Sequence, residues 1–417
     1  MVAITAGKLI DGTGAAPLKD VVILVEGEKI TQVGEMKAIP IPPDAQVIDA
    51  SDKIVMPGMI DGHVHVQGTG GVQDVVSARL AGVTQLIETT TLKSYVHAKQ
   101  DLLAGFTTIA DMSSPGYVAI ALRDAIDSGL VEGPRMRACG QGLCITGGHM
   151  DQTRWRPEVT VAGRTGVADS PWEFRQATRH QIKMGADCIK INACSSGHKN
   201  PRKPDEPYYQ EMTFDEMKAV CDEAHKAHLR VFAHTAGGQG ITDAILAGVD
   251  SLEHAHWITD EQAGLMAEHG TFYVPTFTVM LSTLKIGQDA LGATDHSWNY
   301  INRAMEAKWR SLERVRKAGA KIAVGTDAGF RAAHGENAIE LAALVEGGLT
   351  PMGAIMAATS VGADHLDMAD LVGTIEAGKF ADLLIVDGDP LTDVSVLQDI
   401  DRIKVVMKGG QVVIQRG

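Results

Sequence analysis

Two histidines, His63 and His65, stand one residue apart in the stretch MPGMIDGHVHV, directly after a short apolar run. Successive side chains of a β-strand point to opposite faces, so the two imidazoles of an extended H-x-H pair lie on the same face. Imidazole is a preferred ligand of zinc and of neighbouring transition metals. The pair therefore indicates a metal site, although a lone histidine near a strand end more often makes an ordinary hydrogen bond.

Metal-ligand and acid–base residue types recur at the ends of four later segments that read as strands. Lys190 lies in CIKINAC, His234 in RVFAHTA, His254 in SLEHAHW and Asp327 in KIAVGTDAG. Histidines and a carboxylate that meet at one rim are best explained by a shared metal centre. Burying an ammonium is costly unless it is paired or uncharged. Lys190 is therefore expected either to form an ion pair or to react with carbon dioxide, giving a carbamate that bridges two cations.

The elements that must position these residues alternate between strand and helix. The candidate strands are residues 59–66, 107–114, 135–142, 188–194, 230–236, 251–257, 271–277 and 321–329. This alternation predicts an α/β fold, a (β/α)8 TIM barrel whose active site lies at the carboxyl ends of the strands. The two chain ends consist of short β-branched pieces and predict a small β-sandwich. We expect the sandwich domain to comprise residues 1–56 plus 370–417, and the barrel residues 57–369.

Composition and charge exclude several classes of partner. The net charge of −14 argues against nucleic-acid binding, which requires a basic face. No apolar run approaches the roughly 20 residues of a membrane-spanning helix. The five cysteines form no C-x-x-C pair, which is typical of a reducing compartment, and the first residues do not read as a signal peptide. We therefore expect a cytoplasmic protein that binds neither nucleic acid nor a membrane.

These motifs, together with the closing GTIEAGKFADLLIVDGDPL, resemble the amidohydrolase superfamily along nearly the whole chain. The resemblance implies two divalent metal ions, zinc by default, that share a hydroxide. One ion would be held by His63, His65 and Asp327, the other by His234 and His254, with N6-carboxylated Lys190 between them. Asp327 would also pass a proton from the hydroxide to the leaving nitrogen. Deamination is not expected, because superfamily deaminases lack the strand-four lysine and carry H-x-x-E where this chain has HTAGGQG.

The region that begins at GTDAGF resembles a binuclear subgroup of Xaa-Pro and Xaa-Arg(Lys) dipeptidases and ochratoxin-hydrolysing carboxypeptidase-like amidases. That likeness implies cleavage of a peptide or N-acyl amino acid to release a C-terminal amino acid, by a homo-oligomeric protein. The amino acid that is released carries a free α-carboxylate, so the active site is expected to contain a basic residue that binds it. The candidates on the rim loops are His149, Arg154, Tyr208, Arg331 and His334, with Arg156, His198, Arg202 and Tyr209 as further choices. His149 is preferred, because its GGH turn directly follows strand three.

Two other functions remain open at this level. The same metal site could hydrolyse a cyclic amide, a lactone or another ester, and the chain could instead be a metal-binding assembly protein without turnover. The long segments after strands four and seven could act as lids. His97, His225 and His228 lie in helical stretches and are expected at the surface.

Overall fold

The computed structural model describes residues 1–71, 84–151, 166–196 and 206–417. The strands are β1 Val2–Leu9, β2 Leu18–Glu26, β3 Lys29–Glu35, β4 Gln46–Pro57, β5 Met59–Val64, β6 Phe106–Asp111, β7 Arg135–Ala138, β8 Leu143–Cys144, β9 Gly166–Val167, β10 Cys188–Asn192, β11 Cys194–Ser196, β12 Tyr208–Gln210, β13 Arg230–Gly237, β14 Ser251–Trp257, β15 Phe272–Val274, β16 Leu383–Val386, β17 Ile403–Lys408 and β18 Gln411–Gln415. The α-helices are α1 Ile87–Leu103, α2 Val118–Asp127, α3 Pro171–Lys183, α4 Phe214–Lys226, α5 Gln239–Ala247, α6 Asp260–His269, α7 Phe277–Ile286, α8 Gln288–Leu291, α9 Asp295–Ala318, α10 Ile339–Glu346, α11 Pro351–Ala357 and α12 Ser360–His365. Short 3-10 turns occupy Pro115–Tyr117, Val394–Gln398 and Ile400–Arg402.

The middle of the chain is a TIM barrel, which confirms the predicted fold class. Strands β5, β6 and β7 pair in parallel, and so do β8, β10, β13, β14 and β15. The eighth segment closes the ring through isolated parallel bridges, from Ile322 to Tyr273 of β15 and from Ala328 to Val64 of β5. The predicted third strand, residues 135–142, ends early at Ala138, because Gly140 adopts a positive φ of 70° that extended strands do not use, and β8 begins only at Leu143.

Several barrel strands are buried along their whole length. Every residue of β5 (MIDGHV), β6 (FTTIAD) and β10 (CIKIN) is buried. Parallel strands covered on both faces are usually almost entirely apolar. The polar residues within these strands must therefore find partners inside the barrel or at its rim, which places the histidines, Lys190 and buried aspartates under strong geometric constraint.

Helices cover the outside of the barrel and begin with capping signals that the sequence encodes. Thr213 and Glu216 form a capping box at α4, and Thr259 and Gln262 form one at α6. The predicted insertion after strand seven is mostly helical and contributes α8 and the long α9. Helix α9 packs against β14 and α6, so its side chains reach the wall of the barrel behind His254.

The two chain ends build one seven-stranded sheet, in the order β18-β17-β16-β4-β1-β2-β3. Its pairings are antiparallel except that of β1 with β4. Ile4, Val21 and Ile23 pack in one apolar cluster and Ala3 and Val22 in another, as expected when successive residues face opposite sides of a sheet. The division into residues 1–56 plus 370–417 and residues 57–369 stays a prediction. Among the described residues, no helix is long and apolar enough to cross a membrane.

Candidate metal centre and active site

Three predicted ligands meet where β5 faces the eighth barrel segment. One ligand atom each from His63, His65 and Asp327 lie within 4.8 Å of one another. Oδ1 of Asp327 is 3.2 Å from Nε2 of His65 and 3.8 Å from Nε2 of His63. The backbone N–H of Asp327 donates to the carbonyl of His63 at 2.8 Å, which holds the carboxylate opposite the histidine pair. This group has the composition and spacing of a metal-binding site.

The other two predicted histidines extend the same cluster. The ring of His254 on β14 lies 4.9 Å from that of His63 and 4.6 Å from that of His234 on β13, between centroids. His63 and His65 are 5.4 Å apart by the same measure. Imidazoles from β5, β13 and β14 therefore form one continuous group at the carboxyl rim of the barrel.

Lys190 lies on β10, in the strand that pairs with β13. Its side chain is buried, and its Nζ has no hydrogen-bond partner among the described residues. Nε2 of His63 is likewise buried and makes no hydrogen bond within the described ranges. Leaving a buried polar atom unpaired costs about 1–3 kcal/mol, so both atoms call for a group that would satisfy them. The nitrogen and carboxylate donors fit a divalent transition metal, and Lys190 fits a role beside it.

The surroundings of the cluster favour the ligand form of His63, His254 and Asp327. Burial and the nearby Lys190 lower the pKa of His63 to about 4, against the opposing effect of Glu253. Burial and the neighbouring His234 hold the pKa of His254 well below its ordinary value. Burial would raise the pKa of Asp327, but the hydrogen bond and charge of His65 outweigh it and lower the pKa. His63 and His254 are therefore neutral at neutral pH and Asp327 is ionised, as metal ligands must be.

Glu253 is a functional residue that the sequence reasoning missed. It is fully buried on β14, and Nδ1 of His63 donates to its Oε2 at 2.5 Å. Its other oxygen accepts from the hydroxyl of Ser251 at 2.6 Å. A carboxylate on the far nitrogen of a ligand histidine fixes the ring and leaves Nε2 for the metal. The available signal was a charged residue directly before His254 in an otherwise buried strand.

Asp61 is a second missed residue and ties β5 to the eighth segment. It accepts from the hydroxyl of Thr326 at 2.6 Å, the side-chain amide of Asn337 at 2.7 Å and the backbone of His63 at 3.0 Å. Burial raises the pKa of Asp61 to about 7, although these donors oppose the shift. Asp61 thereby links the first histidine of the cluster to the segment that carries Asp327.

Of the predicted substrate contacts, His149 lies at the cluster. Its ring centroid is 3.8 Å from that of His234, and its Nδ1 is 3.1 Å from the hydroxyl of Ser195. Tyr208 lies at the rim just beyond β13: its ring covers the Gly237–Gly238 peptide so closely that a Cβ at Gly238 would be 2.4 Å from it. Glycine is required at this close approach.

The remaining predicted contacts lie on the loop after the eighth segment or outside the described residues. Arg331 is half-buried, burial lowers its pKa, and its guanidinium lies 5.2 Å from the ring of Phe330. Arg154, together with Arg156, His198 and Arg202, lies outside the described residues.

His334 lies against the backbone of the histidine pair. Its Nδ1 lies 2.8 Å from Asp101 and its Nε2 lies 3.3 Å from the carbonyl of His65, so both ring nitrogens have partners within the protein. These contacts hold His334 beside the His65 backbone. The surface prediction for His97 is wrong: it is buried, stacks on His334 at 4.9 Å, and bonds the carbonyl of Val66 at 2.7 Å. Helical periodicity does not reveal that a neighbouring loop covers this face.

Comparison with known proteins agrees with this geometry. A model of the amidohydrolase family matches residues 54–413. Ochratoxinase from Aspergillus niger is 31% identical over 433 aligned residues, which cover 98% of this chain and 85% of that protein. A crystal structure of a Xaa-Pro dipeptidase with bound methionine in the active site has a TM-score of 0.86 at 33% identity, covering 99% of both chains. A prolidase complexed with N-methylphosphonate-L-proline has a TM-score of 0.87 at 30% identity, covering 100% of both.

The family match spans the barrel and the strands β16 and β17 of the terminal sheet, and the cluster of histidines with Asp327 lies within it. The chain belongs to the amidohydrolase family and is a hydrolase of amide bonds.

Proposed function

We propose that this protein is a two-metal amidase that cleaves a peptide-like or N-acyl amino acid substrate and releases its C-terminal amino acid. The observation that carries the proposal is the convergence of the histidine cluster, Asp327 and the buried Lys190 at one rim of the barrel. The similarity to ochratoxinase and to Xaa-Pro dipeptidase and prolidase structures supports this substrate class.

In this proposal one divalent ion is held by His63, His65 and Asp327, and a second by His234 and His254. Lys190, as N6-carboxylysine, would help to hold both ions. When bound, the metals supply Lewis acidity, which lowers the pKa of water and polarises the scissile carbonyl. We propose zinc, because its common ligands are imidazole and carboxylate. We also propose that the protein is cytoplasmic and forms a homo-oligomer.

Asp327 is the proposed general acid–base residue. Its carboxylate is ionised and lies beside the histidine pair, so it can take a proton from the attacking water. It then gives that proton to the leaving nitrogen as the amide bond breaks, which makes the departing amine neutral. The backbone of Asp327 has a positive φ of 58° and donates a hydrogen bond to the carbonyl of His63 on β5. These constraints hold the carboxylate in place for both proton transfers.

The substrate side of the proposal rests on His149. A histidine donor beside His234 can pair with the α-carboxylate of the residue to be released. Tyr208 and Arg331 lie on rim segments and are proposed as further contacts with the substrate. His334 is not proposed as a contact, because its ring nitrogens are engaged by Asp101 and His65.

The first test is metal content by plasma mass spectrometry, on protein purified without chelator and on a Lys190→Ala variant. The proposal requires two equivalents in the wild type and a sharp loss in the variant. Lys218→Ala, an exposed lysine on α4, is the matched control and should keep both equivalents. Equal metal content in the wild type and in Lys190→Ala would refute the proposed bridging role of Lys190.

The second test is amide hydrolysis across a panel of dipeptides, N-acyl amino acids, ochratoxin A, lactones and cyclic amides. Asp327→Asn should lower kcat by about 10²–10⁴-fold on amides, the range of general acid–base catalysis. Asp364→Asn, which removes ion pairs with Lys321 and with Arg230 at the start of β13, should leave kcat unchanged. Turnover of lactones or cyclic amides alone would replace the proposed substrate class, and no turnover with two bound metals would favour a non-catalytic metal-binding protein.

A further inference from the structure

Helix α9 buries a lysine directly behind the histidine cluster. Lys308 is fully buried, and its helix neighbours on the buried face include Ala304, Leu312 and Val315. An amine is costly to bury, and a methionine would fill the same volume without that cost. The Nζ of Lys308 donates to the carbonyl of Thr276 at 2.9 Å and to its hydroxyl at 3.3 Å. A neutral amine can donate both hydrogen bonds, and so can an ammonium.

Thr276 occupies an unfavourable backbone conformation between β15 and α7. Its φ of 54° and ψ of 54° lie in the left-handed region, which a β-branched residue rarely adopts. Its hydroxyl lies 2.8 Å from Nδ1 of His254, whose own φ is 68°. Such strain persists only where surrounding contacts over-determine the conformation, and it concentrates at functional sites.

Glu340 binds the amide groups of the two residues that follow Thr276. Its carboxylate accepts from the backbone N–H groups of Phe277 and Thr278 at 2.8 and 2.7 Å, and from the hydroxyl of Thr278 at 2.7 Å. Lys308 therefore holds the oxygens of Thr276, and Glu340 holds the amides of the next two residues. Between them, a buried amine and a buried carboxylate fix the turn that presents the Thr276 hydroxyl to His254.

We propose that Lys308 is a positioning residue that acts on His254 through Thr276. By holding the hydroxyl in place, it keeps Nδ1 of His254 occupied and leaves Nε2 for a metal. The inference rests on the proposed ligation by His254 and extends it to a residue on the outer layer of helices, which has no contact with substrate. A merely structural lysine would anchor α9 to the turn but would have no effect on metal affinity beyond its effect on folding.

The test is the affinity of metal-free protein for Co²⁺, followed by visible absorption and by competition with a chromophoric chelator. Lys308→Met nearly keeps the volume of the side chain while removing the amine, and Thr276→Val keeps the shape while removing the hydroxyl. Each should weaken one of the two metal sites by about 10- to 100-fold, the range for residues that orient metal ligands. Thr276→Ser, which retains the hydroxyl, should bind as the wild type does. Lys317→Met, an exposed lysine on the same helix, is the matched control and should also be unchanged.

The outcomes separate this inference from the proposed function. Two wild-type metal sites with unaltered affinity in Lys308→Met and Thr276→Val would overturn the inference and leave the proposed function standing. A wild type that binds no metal would overturn both. If Lys308→Met does not fold, the comparison of Thr276→Val with Thr276→Ser decides, because the two differ in the hydroxyl that the inference requires. Equal affinities in that pair would refute it.

Discussion

The contact between Glu253 and His63 gives the most direct prediction. Burial alone would raise the pKa of Glu253, but the neighbouring His365 and the hydrogen bond from His63 outweigh it and hold the pKa below its ordinary value. Glu253 is therefore a carboxylate at neutral pH, and Glu253→Gln removes a charge while keeping the shape. The amide oxygen can still accept from Nδ1 of His63, and its NH₂ can face Ser251, whose hydroxyl is able to accept.

The cost of Glu253→Gln is the weakening of the hydrogen bond from His63, whose acceptor loses its charge. Hydrogen bonds to charged groups contribute about 1.5–3 kcal/mol and neutral ones about 0.5–1.5 kcal/mol, so the bond from His63 weakens by about 1–2 kcal/mol. If His63 is a metal ligand, this loss appears as a roughly 5- to 30-fold weaker metal affinity. Competition with a chromophoric chelator measures it, and Glu268→Gln, an exposed residue on α6, is the matched control. Unchanged affinity in Glu253→Gln would refute the reasoning, because the variant removes the carboxylate that orients His63.

Three further predictions test other parts of the molecule. The hydrogen bond from Arg179 and other basic neighbours lower the pKa of Glu223 to about 2, so its stabilising contribution is present above the unfolded pKa near 4.5 and is lost as the pH falls. Between pH 5 and pH 3, the free energy of unfolding in urea should fall by about 1 kcal/mol more for the wild type than for Glu223→Gln, after allowance for solvent screening. An equal fall in the two proteins would contradict this. Gly325→Ala places a Cβ 2.4 Å from Val274 and 2.7 Å from His63, and should lower the free energy of unfolding by about 1–3 kcal/mol together with the metal content. Gly264→Ala, on α6 with no atom within 4 Å of the new Cβ, should raise the free energy of unfolding by about 0.5–1 kcal/mol, and the same sign for both variants would count against the packing argument. His149→Gln should raise KM by roughly 10- to 100-fold for substrates with a free α-carboxylate, with kcat little changed. Equal KM changes for C-terminally amidated substrates would refute that assignment.

Much of the site was predictable because a parallel barrel brings all carboxyl strand ends to one rim. Residues far apart in sequence, such as His63 and Asp327, can then be grouped by their position on a strand without knowledge of any contact. The eighth segment shows the limit of this reasoning. It forms only isolated bridges, but its register with β5 still brings Asp327 to the histidine pair.

The partners of the predicted ligands could not be predicted in the same way. Glu253 points at His63 from another strand, and His334 and His97 bond the backbone carbonyls of His65 and Val66 at the end of the H-x-H pair. These contacts depend on strand register, rotamers and the path of a loop, and residue types alone do not determine them. The same holds for the substrate side, where the positions of His149 and Tyr208 depend on rim loops.

The far nitrogens of three cluster histidines reveal a common arrangement with different partners. Nδ1 of His63 faces the Glu253 carboxylate, Nδ1 of His254 faces the Thr276 hydroxyl at 2.8 Å, and Nδ1 of His65 lies 3.3 Å from the Ser113 carbonyl. In each ring this leaves Nε2 for the cluster. A carboxylate makes an imidazole more electron-rich than a hydroxyl or a carbonyl does, because its hydrogen bond is charge-assisted. His63 should therefore be the strongest donor of the three rings. Because Glu253 is itself buried, this donor strength also depends on Ser251, whose hydroxyl satisfies its second oxygen. Ser251→Ala should therefore weaken the proposed metal binding in the same direction as Glu253→Gln.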